Sequence, residues 1–144
     1  MPLLIWNEQY SVGVTELDDQ HRKMIDALNH LQEGLLTKQP PSVIGPLLAR
    51  LGDLTGRHFS QEERLMAAAG YPDLQPHRTE HGVLLQQIER FKRLNQSGDI
   101  ALSGDVLDFL KDWLANHILQ VDLQYKPWLS SPLVGAGTAD NPSA

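Results

Sequence analysis

Along most of the chain, apolar residues recur at steps of three and four, the period of a helix with one buried face. The first such run spans about Glu16 to Leu36, with Thr15 as its expected N-cap and Asp18 and Asp19 in the dipole-favoured first turn. Its seam reads Leu17, His21, Met24, Leu28, Leu31 and Leu35. A second run spans about Ser42 to Ala69, after Pro41 and before the breaker Gly70-Tyr71-Pro72, with Ile44, Leu47, Leu51, Leu54, His58, Glu62 and Leu65 on one stripe. A third begins near Asp73 and ends before Ser97-Gly98, aligning Leu74, His77, His81, Leu84, Ile88 and Phe91. The fourth starts after Ser103-Gly104 and reaches about Lys126, with Leu107, Leu110, Leu114, His117 and Val121 on one side and Val106, Trp113 and Ile118 beside them.

No segment alternates like a strand, and the connections near 37–41, 70–73 and 97–104 are short enough to force neighbouring helices antiparallel. The expectation is an all-α fold, an up-down-up-down four-helix bundle spanning residues 1–130. Within it, the extended N-terminal stretch should pack through Leu3, Leu4, Ile5, Trp6 and Tyr10. The small, polar residues 131–144 read as a disordered tail.

Polar residues in a bundle seam cost free energy unless they are partnered. Five of the six histidines nevertheless fall on the inward stripes: His21, His58, His77, His81 and His117. His30 lies nine residues after His21, about 180° round the helix, and should face solvent. Glu62 follows His58 by four residues, as His81 follows His77, so each pair shares a face. Asp122 follows His117 by five, about 140° further round an α-helix, and reaches the seam from its other side.

Antiparallel topology brings the start of the first and third helices to the same end as the close of the second and fourth. All seven residues then share one layer. Imidazoles with carboxylates suit iron, manganese, copper or zinc, and seven donors fit two ions bridged by two carboxylates. The chain lacks H-E-x-x-H and the repeated Glu-x-x-His of carboxylate-rich di-iron proteins.

Composition narrows the picture further. The 144 residues carry no cysteine, which excludes disulfides, thiol catalysis and cysteine-ligated clusters. A net charge of −6 argues against nucleic acid or an anionic membrane as partner. No apolar run approaches the roughly 18 residues of a transmembrane helix. The opening MPLLIWNEQY resembles no export signal, so the cytoplasm is the expected location. The lack of a long exposed apolar stripe points to a monomer.

Four pieces, in this order and spacing, resemble the bacterial hemerythrins over nearly all of residues 1–128. They are Trp6 with YSVGVTELDDQH, HFSQEERLM, GYPDLQPHRTEH and WLANHILQVD. The resemblance implies that His77, His81 and His117 ligate one iron ion and that His21 and His58 ligate a second. Glu62 and Asp122 would bridge them alongside an oxo or hydroxo group. It also implies that the two-histidine iron keeps a position open for dioxygen. Trp113, Phe59, Leu85, Leu114 and Ile118 are the candidates for a dry wall around it.

The function so implied is reversible dioxygen binding, for carriage, storage or delivery to an oxygen-consuming enzyme. The alternatives are a di-iron enzyme (oxidase, peroxidase or nitric-oxide-consuming) and an oxygen or iron sensor. A histidine-rich donor set favours binding over catalysis. No further buried acid or base is evident, since Glu63 and Asp112 are expected to face outward.

Overall fold

The computed structural model describes residues 4–97 and 103–129, and for residues 103–107 the backbone alone. Leu3 and the 131–144 tail lie outside the described residues, as do the side chains of Val106 and Leu107. A short 3-10 turn, Glu8–Tyr10, precedes α1 (Thr15–Leu36), α2 (Pro41–Ala69) and α3 (Leu74–Gln96). The fourth arm runs as α4 (Ser103–Asn116), a π-helical stretch (His117–Asp122) and α5 (Leu123–Leu129). No strand occurs among the described residues, and the arms form the expected all-α four-helix bundle.

Each junction has a local cause. Helix α1 starts one residue earlier than expected: Val14 is its cap and Thr15 its first residue, without a side-chain cap. The end is secured instead by Asp18, which is buried and accepts hydrogen bonds from the Val12 amide (2.8 Å) and the Ser11 hydroxyl (2.6 Å). Its carboxylate thereby ties the incoming chain to the helix. Helix α2 begins with Pro41, whose missing N–H is one of the unbonded donors of a first turn. It ends at Gly70 (φ 72°), where the Gly70 and Tyr71 amides fold back onto the carbonyls of Ala67 and Met66. This turn delivers Tyr71 into the interior.

The N-terminal stretch packs in part as expected. Leu4 and Tyr10 are buried, Leu4 exchanges two backbone hydrogen bonds with the Asn29 amide, and Trp6 carries the Arg22 guanidinium over its ring. Ile5 points to solvent, because successive side chains of an extended segment face opposite ways.

Two apolar cores result. The larger runs through the body of the bundle and includes Met24, Leu28, Leu51, Leu84, Ile88, Leu110 and Leu114. The smaller closes the other end with Val12, Leu17, Met66, Tyr71, Tyr125 and Leu129. The polar layer occupies the level between them.

Candidate metal centre

Every one of the seven candidate donors is at most 4% exposed, whereas His30 is exposed. Their atoms fall into two overlapping groups, each with its members within 4.8 Å of one another. One comprises His77, His81 and His117 with Glu62 and Asp122. The other comprises His21 and His58 with the same two carboxylates. Three imidazoles thus face two across a shared pair of acids.

The i, i+5 spacing of His117 and Asp122 is resolved by the helix itself. The fourth arm widens to a π-helix from His117 to Asp122, and the extra residue in the turn brings both onto one side. The 140° offset expected of an α-helix disappears, and His117 Nε2 lies 2.9 Å from Asp122 Oδ1.

The donors point inward as ligands do. His58 Nδ1 donates outward to Gln20 Oε1 (2.7 Å), and Gln20 in turn donates to Gln61. His81 Nδ1 donates to Glu63 Oε2 (2.8 Å), and His117 Nδ1 to Glu80 Oε1 (3.2 Å). With the Nδ1 protons so engaged, the Nε2 lone pairs are left facing the centre. There His117 Nε2 lies 3.2 Å from the Nε2 of both His81 and His77. Several central atoms have close neighbours but no hydrogen bond: His21 Nε2, His58 Nε2, Glu62 Oε1 and both oxygens of Asp122. Lone pairs that outnumber the protons between them, in a buried layer, are what a bound cation would satisfy. The residues present fit a pair of metal ions.

Charge tells the same story. Burial on its own would lower His77, but the carboxylates of Asp122 and Glu62 beside it hold it up, to about 9. His117 is likewise raised, chiefly by Asp122 against the effect of burial. Burial lowers His58. It would raise both acids, yet the surrounding imidazoles hold Glu62 and Asp122 well below the usual carboxylate range.

Two neighbours depart from expectation. Glu63 turns inward rather than outward: its side chain is 20% exposed, backs His81 and is itself held by Arg78 Nε at 3.0 Å. The buried phenol of Tyr125 donates to Glu62 Oε2 at 2.5 Å, a buried acid that the apolar pattern had not flagged. Only its i+3 spacing from Asp122 hinted at it. Asp112 is exposed, as expected.

Aromatic rings cover the three-histidine half. Phe59 stacks on His81 (centroids 3.6 Å apart, planes at 4°) and Trp113 on His117 (4.3 Å, 12°), with Phe59 and Trp113 in contact at 5.9 Å. Leu114 and Ile118 are buried in the adjoining core, and Leu85 is half-buried against it. Outside Trp113 lies an open groove of about 370 Å³, lined by Glu80, Asp112, Asn116 and Gln120 among others. Trp113 and His117 both line it, so the groove reaches the edge of the layer beside the Trp113 ring.

A four-helix bundle enclosing a histidine-rich, doubly carboxylate-linked donor layer defines a class of non-haem metal-binding proteins. Residues 12–129 match the family described as the hemerythrin HHE cation binding domain, and the chain belongs to the hemerythrin family. It is 34% identical over 125 residues to a bacteriohemerythrin of Stenotrophomonas maltophilia, covering 87% of this chain and 80% of that protein. It is also 34% identical over 132 residues to one of Methylococcus capsulatus, covering 91% and 100%. A myohemerythrin of Sipunculus nudus is 30% identical over 123 residues, covering 85% and 90%. A wild-type hemerythrin crystal structure superposes with a TM-score of 0.83 at 34% identity, covering 90% of this chain and 99% of that one. No helix among the described residues is long and apolar enough to cross a membrane.

Proposed function

We propose that the chain binds dioxygen reversibly at a di-iron centre, as a carrier, store or donor to an oxygen-consuming enzyme. In this reading His77, His81 and His117 would hold one iron and His21 and His58 the other, with Glu62 and Asp122 shared between them. The observation that carries it is the pair of overlapping donor groups, five residues against four, sharing both acids. The poorer group leaves more of an ion's coordination to an external ligand. When bound, the iron pair would supply the electrons that dioxygen binding requires.

The protein's own residues do the rest. Neutral imidazoles with two carboxylates offset half the charge of two ferrous ions, so that the remainder can be buried. Gln20, Glu63 and Glu80 fix the imidazole tautomers and aim the Nε2 lone pairs. Phe59 and Trp113 cover the ring faces of His81 and His117 and so limit the water that reaches them. Glu63 and Glu80, the carboxylates behind the layer, are engaged with imidazoles, which favours binding over proton-delivering catalysis.

The test is anaerobic loading with ferrous iron, exposure to oxygen, then removal of oxygen under vacuum. A visible absorption band should appear and then vanish, with two irons per chain throughout. A band that decays irreversibly, with turnover on added reductant, would establish the oxidase reading instead. Trp113→Ala should keep both irons while autoxidation accelerates about tenfold, or roughly 1.4 kcal/mol of barrier. An unchanged autoxidation rate would limit Trp113 to filling space.

A further inference from the structure

The phenol of Tyr125 is only the first ring of a continuous chain. Tyr125 is fully buried, lies 5.7 Å from the His77 ring at 29°, and donates its proton to Glu62. Tyr71 meets it edge-on at 6.3 Å (87°), and Trp128 meets Tyr71 at 5.9 Å (72°). Trp128 is 41% exposed and is the one aromatic among the exposed large hydrophobic residues described. Three oxidisable rings therefore lead, contact by contact, from an acid of the metal layer to solvent. Packing alone does not call for a hydroxyl on Tyr125, which instead meets the buried Glu62 Oε2. The chain lies wholly in the smaller core or at its margin, on the opposite side of the layer from the body of the bundle.

We propose that Trp128, Tyr71 and Tyr125 carry electrons from the surface to the metal layer and so quench oxidising equivalents generated there by hydrogen peroxide. The proposal rests on the di-iron reading for its use, though not for the path itself. Reducing one peroxide to two waters takes two electrons and two protons. When the metals can give only one electron, Tyr125 gives the second, and its phenolic proton shifts along the hydrogen bond to Glu62 Oε2. Tyr71 then returns an electron to Tyr125, which regains its proton from Glu62; Tyr71 releases its own phenolic proton to water and takes one back when Trp128 returns an electron to it. A small thiol in solution fills the vacancy at Trp128, releasing a proton and closing as half a disulfide. The thiol proton and one from solvent complete the two waters.

The path is tested first on the metal-free full chain, with a flash-generated one-electron oxidant in solution. In the wild type, an indolyl absorption should relax into a mixture with a tyrosyl absorption, the same path run in reverse and exchanging electrons both ways. Trp128→Phe and Tyr71→Phe should each lose most of that conversion, while Trp113→Phe keeps it. Conversion that is equal in all four proteins would overturn the proposal, whatever the chain does with iron. The use is tested by freezing the half-oxidised iron-loaded protein after adding peroxide. A tyrosyl paramagnetic signal should form, vanish in Tyr125→Phe at unchanged iron content, and persist longer in Trp128→Phe. A signal that survives Tyr125→Phe, or peptide oxidation confined to Trp113, would refute the protective role. Failure to load two irons would count against the di-iron reading and leave the flash result standing.

Discussion

The metal layer and the body of the bundle beneath it are built from the same four helices and are equally dry. They differ in how their atoms are satisfied. In the body, Met24, Leu28, Leu51, Leu84, Ile88, Leu110 and Leu114 need nothing beyond one another, since close-packed apolar contacts are self-sufficient. In the layer, nitrogen and oxygen atoms at the same inward positions converge without enough protons to bond them all. Burial is thus a property of the helix face. Whether that burial stabilises or costs depends on which residue occupies the face. The body holds the layer together, and the layer is costly until counter-charge arrives.

Metal is the largest lever on this contrast. Ferrous iron at a thousandfold excess over its Kd should add about 4 kcal/mol to stability, raising Tm by roughly 10 °C in a domain of this size. His81→Ala should abolish most of that gain and lose at least one iron, while His30→Ala, on the solvent face, should change neither. Equal effects of the two substitutions would erase the distinction between layer and surface.

The metal-free layer should respond to pH in a definite direction. His77 is raised from 6.5 to about 9 in the folded protein, so its contribution is complete below about 6.5 and is lost as pH rises through 9. Denaturant midpoints of the metal-free chain should therefore fall across that window. The iron-loaded protein, whose His77 carries a metal in place of a proton, should show no such fall.

Smaller effects come from the margins. Glu63→Gln removes the charge behind His81 while keeping the shape, and should weaken iron retention against a chelator about tenfold, the lower end for such supporting groups. Asp112→Asn, exposed on the groove, is the control. In the body, the Thr55 hydroxyl is buried without a partner beside a void of about 10 Å³, which is at the lower limit for holding a water. Thr55→Val should relieve that group and raise stability by about 1 kcal/mol, or roughly 3 °C in Tm. A loss instead would mean that the body tolerates polarity as the layer does.

The sequence alone determined the helices, their antiparallel order and the inward direction of most seams. All six seam residues of α1 are buried, and His30 is exposed, because helical periodicity is a local property readable from spacing. Along α2 the choice was tertiary. Leu47, Leu54 and Leu65 lie half-buried at the margin, while Leu48, Thr55 and Met66 take the seam. Two apolar stripes run side by side on that helix, and only the neighbouring helices decide which one faces the centre. The π-helical turn at His117–Asp122, the inward swing of Glu63 and the Tyr125–Glu62 bond are of the same kind. Each depends on a partner far away in sequence or on a widened turn, and a local periodicity carries neither distance nor hydrogen-bond direction.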